Sequence, residues 1–566
     1  MIVLGITDGH DAGAALLKDG KILAAVNEER LVREKLFTGV PRESIKEVLA
    51  LGNIQPQQID KVAIATKQGI QGELGWERVS PWKKTYQFVC KNFGFLAGKK
   101  EFTKLQNFLL IPLRTKETEQ YLRSIGVDCQ IYYYDHHLCH AASAYYTSGK
   151  EEALVITSDG SGDGLSSTVY IGKDNNLGCI NEIPTYHSIG YYYAYITLLA
   201  GFNMFRHEGK ITGLAAYGDS NVCYSVLEKC FSYSSDKGQP INSLGLMGEH
   251  ALAYLKKELQ QYDRKEYSAA IQRRTEDVMV AFLKDYVKKT KISDVCFAGG
   301  LFANVRVNQK IAELEEVDSF FVHPHMGDGG LGLGAALYCY GQERLNKGSG
   351  LKPFYLSDVY FGRAYSNEDV EEALAKNHML GEKIQNIEKF IAEQLAKKKI
   401  VGHFSGRMEY GPRALGNRSI LADPTDTSIN DWLNKRLRRT EFMPFAPSVI
   451  DSYATRYYAN YLKSKYPAQF MTVTFDNTKE AQKAPAVVHV DNTARPQVVN
   501  KLYNPRYYKI LQEYFNKTGL PLFVNTSFNA HEEPILWSPE NAINSFKENT
   551  VDVLVMENWV LRKNER

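Results

Sequence analysis

Residues 135–146, DHHLCHAASAYY, bring His136, His137 and His140 together at the start of an alanine-rich run. On a helix, positions i and i+4 share a face one turn apart, so His136 and His140 are spaced to bind one ion while His137 points elsewhere. Spacing alone leaves a second reading open, a helix N-terminus whose imidazoles are hydrogen-bonded. An ion needs a third donor. Asp328, just past the strand end His323-Pro324-His325, supplies a carboxylate, with His323 and His325 competing for the same place. Two histidines and one carboxylate with open positions suit Fe(II), and the ligand types equally admit zinc.

Such side chains need elements to hold them. Ile2–Thr7 reads as a buried strand running into Asp8-Gly9, followed by a strand over Ala12–Leu17, a turn at Lys18-Asp19-Gly20 and a strand over Lys21–Val26. The pattern returns from Ala153: ALVIT, then SDGSGDG with Asp159 and Asp163, then SSTVYIG, a KDNN turn and LGCINEI. Two copies predict a duplicated α/β unit whose acidic loops face a shared cleft. Paired Asp-Gly loops suit a nucleotide phosphate and its metal, because glycine lets backbone N–H groups approach an anion closely. Gly299-Gly300 after DVCFA, with Asn304 at the following polar helix start, and the turn from Gly327 to Gly334 are signals of the same kind. Each loop taken singly is equally an ordinary turn.

Composition narrows the class. A chain of 566 residues, 44% hydrophobic and 23% charged, exceeds the roughly 250–300 residues that one core serves, so two or three domains are expected. Lys plus Arg (68) and Asp plus Glu (65) nearly cancel, which argues against a nucleic-acid binder. The eight cysteines form no CxxC pair, which points to reduced thiols in a cytoplasm. The start, MIVLGITDGHDAG, has no basic leader and no long uncharged apolar run follows, so a soluble protein, neither exported nor membrane-spanning, is expected. The Gly/Pro/Ser-rich stretch QERLNKGSGLKPFYLS marks a boundary near residue 350, giving domains 1–350 and 351–566. Beyond it lie an amphipathic helix (NEDVEEALAKN), a long basic helix around Asn386 to Lys399, and strands that include VVHV and PLFVNT.

Eight ordered motifs, DHHLCHAASA, HEGKITGLAAYG, FAGGLFANV, MGDGGLGLGAA, MEYGPRALGNRSI, PFAPSVI, HVDNTARPQ and NTSFNAHEEPI, resemble the O-carbamoyltransferase family of nodulation protein U and tobramycin carbamoyltransferase. The resemblance runs from residue 3 to about residue 562. It implies a duplicated actin-like ATPase (ribonuclease-H-like) first domain, similar to threonylcarbamoyl transferases, and a second domain similar to the YrdC-type carbamoyl-adenylate-forming fold. It further implies that carbamoyl phosphate and ATP give carbamoyl adenylate in the second domain, and that the first passes the carbamoyl group to a hydroxyl of a small-molecule acceptor. Cofactors would be ATP, Mg with it, and Fe(II) or zinc in the first domain. No nucleic-acid or membrane partner is implied. A homodimer is compatible with this reading, though no pattern encodes one.

On that resemblance His136, His140 and Asp328 are metal ligands, and Asp8, Asp159 and Asp163 line the same cleft. His10 is the candidate general base for the acceptor hydroxyl, since imidazole titrates near neutral pH. Glu208 and Lys210 in HEGKITG are candidates for nucleotide or acceptor binding. In the second domain Arg413 and Arg418 in GPRALGNRS and Arg495 in DNTARPQ are forks for carbamoyl phosphate. Asn525 and Ser527 in VNTSFN can satisfy the carbamoyl amide and carbonyl. The sequence departs from the family at Leu437 and Met443, where basic residues are expected, with Arg436, Arg438 or Arg439 as substitutes.

Overall fold

The repeated strand, Asp-Gly loop and hairpin build two sheets of the same topology. The computed structural model describes residues 1–68, 88–114, 116–438 and 445–563. In the first sheet the order is Lys21–Asn27, Gly13–Lys18, Ile2–Thr7, Lys61–Ala65, Gln130–Tyr134. In the second it is Asn176–Pro184, Leu165–Lys173, Ala153–Gly162, Asp294–Ala298, Ser319–Val322. Each order is third, second, first, fourth, fifth strand, with the first antiparallel to the second and parallel to the fourth. The fourth is parallel to the fifth in both. This repetition is the duplicated α/β fold that the Asp-Gly pattern predicts. Central strands such as IVLGIT are apolar along their whole length because both of their faces are covered.

In each half a helix follows the fifth strand: His136–Tyr146 in one, Leu331–Asn346 in the other. They touch through glycine. A Cβ on Gly334 would lie 1.9 Å from the Cys139 carbonyl oxygen, and one on Gly5 2.0 Å from that of Gly332. Any side chain there would push the helices apart or off the first strand.

The chain divides into two compact units, Met1–Leu23 with Phe37–Leu356, and Ala24–Leu36 with Ser357–Arg566. The excursion of residues 24–36 carries no sequence signal of its own. Within the second unit its arginines act as clamps: Arg30 donates to the Gly411 carbonyl at 2.7 Å, and Arg33 to those of Ile535 (2.7 Å) and Pro534 (2.8 Å). That unit is built on an eight-stranded sheet centred on Val401–Phe404, Arg418–Ala422 and Leu522–Ser527. Helices Ile387–Ala396 and Pro505–Thr518 cover it with a core that includes Ile391, Leu395, Tyr507, Ile510, Tyr514 and Phe523.

Three local expectations are corrected. VVHV is not a strand: Pro485–Val487 is a 3-10 turn, and His489 and Thr493 close a bend around the Asp491 side chain. The basic helix ends at Ala396, before its lysine run, because Lys398 takes a left-handed conformation (φ 60°). SDGSG is not a free loop but the end of the strand Ala153–Gly162, which bulges between Ser158 and Gly162. Among the described residues no helix is long and apolar enough to cross a membrane. All eight cysteines are free.

Candidate metal centre and arginine loop

The His136–Tyr146 helix starts under tight control. Asp135 caps it, accepting from the N–H groups of His137 (3.0 Å) and Leu138 (3.2 Å). Asp163 accepts from the N–H of His136 at 2.9 Å and from those of Lys67 and Gln68, so its carboxylate is occupied by backbone. Gly162 leaves room for the His136 ring, which a Cβ would meet at 2.2 Å.

So held, both imidazoles point at two carboxylates. His136 Nε2 lies 3.6 Å from Asp328 Oδ1 and 3.8 Å from Asp159 Oδ2; His140 Nε2 lies 3.6 Å and 3.2 Å from the same atoms. Neither Nε2 has a hydrogen-bond partner although both are buried. Four donors around an ion at about 2.1 Å in a tetrahedron stand about 3.4 Å apart, and the four histidine-to-carboxylate distances, 3.2 to 3.8 Å, bracket that value. The four atoms all fall within 4.8 Å of one another. The residues therefore fit a divalent cation, and the set is larger than the sequence suggests by Asp159, expected there only to line the cleft.

The electrostatics agree. Burial alone would lower His136, but Asp328 and Asp159 carry it up to about 9. Burial and Asp159 raise Asp328, and His136, His10 and His140 more than reverse this, holding it at about 2. Asp159 is likewise held well below the usual carboxylate range, its burial outweighed by His136 and His140. A field of two carboxylates that favours positive charge on imidazole also favours a metal ion.

The competitors fall away. His137 bonds Thr157 Oγ1 (2.7 Å) and the Leu165 carbonyl (3.1 Å), and burial, then the flanking histidines, push it down to about 3. His323 pairs with Thr147 Oγ1 at 3.1 Å, and neither it nor His325 joins the four donors.

Other predicted residues divide into those at the centre and those that brace it. His10 faces the centre: Nδ1 is 3.8 Å from Asp328 Oδ2 and its side chain is 47% exposed. Burial lowers His10, and Asp328, with Asp11 and Asp159, more than reverses this, raising it to about 9. Asp8 is buried, with one oxygen bonded to Arg114 and to Thr118 Oγ1 (2.7 Å). Gly300 gives its N–H to Asp159 Oδ2 at 3.0 Å, and Gly299, at φ 106°, lies so close to Ser158 that a Cβ would sit 2.2 Å from its carbonyl oxygen. Asn304 caps the helix Val305–Ala312 and exchanges amide hydrogen bonds with Gln272. Glu208 accepts from the N–H of Phe205 at 2.6 Å, and Lys210 lies over the Phe202 ring. Phe205 itself, at φ 64°, is a strained aromatic whose ring edges Tyr191 and lies 3.6 Å from where a Gly160 Cβ would be. Sequence reasoning gave no sign of it.

In the second unit the loop GPRALGNRS is pinned by Glu409, whose Oε1 accepts from the N–H groups of Leu415 (2.8 Å), Asn417 (2.8 Å) and Arg418 (3.1 Å). The sequence reading passes over this glutamate, although a carboxylate at the head of a Gly-punctuated loop was a usable signal. Arg418 is committed to the protein's own backbone. It is fully buried, over the Phe404 ring, and its two terminal nitrogens bond the carbonyls of Ser405, Gly406, Asn417 and Arg363. It is a strut, and no terminal nitrogen is left for a phosphate.

Arg413 differs. Its Nε, like that of Arg418, has no partner, but the residue is only half-buried, and burial followed by the charge of Arg495 pushes its guanidinium well below the ordinary value. Two adjacent guanidiniums in poor solvent ask for an anion. Asn525 bonds Ser448, Gln497 and Ala414 through its amide nitrogen and keeps a buried, unpartnered Oδ1; Ser527 is half-buried on the same strand. Leu437 is core, Arg436 is committed to Asp552 at 2.8 Å, and Arg438, just past the helix Ser428–Arg436, takes φ 54°. Arg439 and Met443 lie outside the described residues.

Comparison with known proteins identifies two family matches along the chain. Residues 2–337 match the family model described as Carbamoyltransferase N-terminus, and residues 392–563 the one described as Carbamoyltransferase C-terminus. MJ1051 of Methanocaldococcus jannaschii is 33% identical over 99% of this chain and 100% of its own. Nodulation protein NolNO of Sinorhizobium fredii is 31% identical over 98% of this chain and 79% of its own. The crystal structure of T.kodakarensis HypF covers 62% of this chain and 48% of its own at 11% identity, with a TM-score of 0.37, a likeness too loose to carry weight.

Proposed function

The chain belongs to the carbamoyltransferase family, and from that premise we propose that it is an ATP-dependent O-carbamoyltransferase acting on a hydroxyl of a small molecule. Carbamoyl phosphate, ATP and one water give carbamoyl adenylate with release of phosphate and pyrophosphate. The acceptor oxygen then bonds to the carbamoyl carbon, the bond to AMP breaks, and the hydroxyl proton passes to His10. The observation that carries this reading is the four-donor centre drawn from both halves of the duplicated unit, with His10 beside it.

A divalent ion held by His136, His140, Asp159 and Asp328 would supply Lewis-acid stabilisation of a phosphate or carbonyl oxygen. His10 turns Nδ1 toward Asp328, which leaves its other ring nitrogen for the acceptor. The charge of Asp328 favours the protonated ring; a cation held by Asp328 would draw off part of that charge and leave His10 readier to accept a proton. In the second unit Arg413 and Arg495 would grip the phosphate of carbamoyl phosphate, with Asn525 offering its unpartnered oxygen to the carbamoyl N–H.

The test needs no acceptor: exchange of labelled pyrophosphate into ATP that depends on carbamoyl phosphate. Arg413→Ala should reduce it about tenfold or more, the worth of a lost charge-assisted contact. His10→Ala should leave exchange intact and slow transfer to an accepted hydroxyl compound by about a hundredfold. No exchange by metal-loaded protein would sink the adenylation half of the reading.

A further inference from the structure

The first unit carries an arm, residues 88–114, that the carbamoyltransferase chemistry does not use. Its helix Lys100–Leu110 buries Thr103 and Leu110 and leaves a second apolar stripe on the outer side. Leu105, Phe108 and Leu109, at i, i+3 and i+4, are 52%, 76% and 44% exposed. Phe88, Phe93 and Leu96 are exposed as well, with the two phenylalanine rings 6.4 Å apart. Large apolar side chains gathered in so short a stretch are not the scattered surface leucines of an ordinary soluble face.

Charge decides what covers them. Lys91, Lys99 and Lys104 are exposed among these side chains, and Glu101 is the only acid in residues 88–114. A second copy docked face to face would set lysine against lysine. Exposed phenylalanines interleaved along the chain with exposed lysines match a fluid anionic layer: rings enter the acyl boundary while ammonium groups meet head groups.

We propose that this arm docks on an anionic lipid surface. The dock is braced from within. Lys100 Nζ bonds Asn181 at 2.9 Å, Thr103 lies under Gly164, and Cys90 and Ala97 pack on Tyr186. Asn107 accepts from the Gln68 side chain, whose backbone N–H bonds Asp163, the residue that holds the N–H of His136. A bilayer at the arm is therefore tied by a short run of hydrogen bonds to the helix that carries two metal ligands.

The test is co-sedimentation of the full chain with vesicles of phosphatidylcholine alone and of phosphatidylcholine with about one-third phosphatidylglycerol. Binding to the anionic vesicles, weakened by salt, is expected. Lys99→Glu with Lys104→Glu should weaken it about tenfold or more, and Phe108→Ser about tenfold. Leu380→Ser, at a 99% exposed leucine of the second unit, should leave it unchanged and guards against a general effect of surface polarity. Failure to sediment, equal binding to neutral vesicles, or indifference to Phe108→Ser would overturn the proposal. So would a dimer in light scattering that Phe108→Ser dissociates.

Discussion

Asp159 and Asp163 stand four residues apart in SDGSGD and read alike in the sequence, yet the fold gives them opposite work. Asp159 directs Oδ2 at His140 Nε2, 3.2 Å away, and joins the donors. Asp163 spends its oxygens on backbone N–H groups, including that of His136. If the four donors hold an ion, removing the first subtracts a ligand and removing the second loosens a ligand's support. Asp163→Asn should weaken divalent metal binding about 10–100-fold, as loss of an orienting partner does, with one ion still bound at saturation. Asp159→Ala should weaken it further than that. Calorimetric titration with zinc separates the two, and equal affinities for both variants would remove Asp159 from the ligand set. A similar contrast, a half-buried guanidinium proposed to meet an anion against a fully buried one bonded to backbone carbonyls, separates Arg413 from Arg418 within one loop.

Elements decide how far apart such residues are. The duplicated sheets were legible because an apolar strand running into Asp-Gly and a hairpin occurs twice, and period-2 and turn signals survive without knowledge of tertiary contacts. The candidate donor set was legible in part: His136, His140 and Asp328 were read together from the sequence, whereas Asp159, on a strand of the other half, was expected only to line the cleft because no local pattern sets it against the two histidines. The bulge after Ser158 and the carbonyl cage of Arg418 were hidden for the same reason. What brings the halves together is the glycine contact between helices His136–Tyr146 and Leu331–Asn346. A methyl at Gly334 would meet the Cys139 carbonyl at 1.9 Å, and backbone cannot step aside as a side chain can. Gly334→Ala should therefore cost about 1–3 kcal/mol or more in urea unfolding and also weaken metal binding, because the helix that moves carries His140. A stability loss with unchanged metal affinity would show that the donors are set independently of this contact.

At the scale of the whole molecule, the four donors and their supports all belong to the unit of Met1–Leu23 and Phe37–Leu356, while Arg413, Arg495, Glu409 and Asn525 belong to the other. A ligand stabilises the state that binds it, by about 2.7 kcal/mol at a hundred times its dissociation constant. If the metal centre lies where the donors do, that free energy enters the first unit. Hydrogen exchange with and without zinc should then show slowed amides in the helices His136–Tyr146 and Leu331–Asn346, reversed by chelator, with peptides of the strands Val401–Phe404 and Arg418–Ala422 changing little. Two partly buried carboxylates facing two buried imidazoles supply the reason: a cation would balance part of their charge, so its removal should be felt first at the starts of those two helices. Protection spread evenly over both units would mean that zinc acts elsewhere, or that the centre draws on residues beyond the four named.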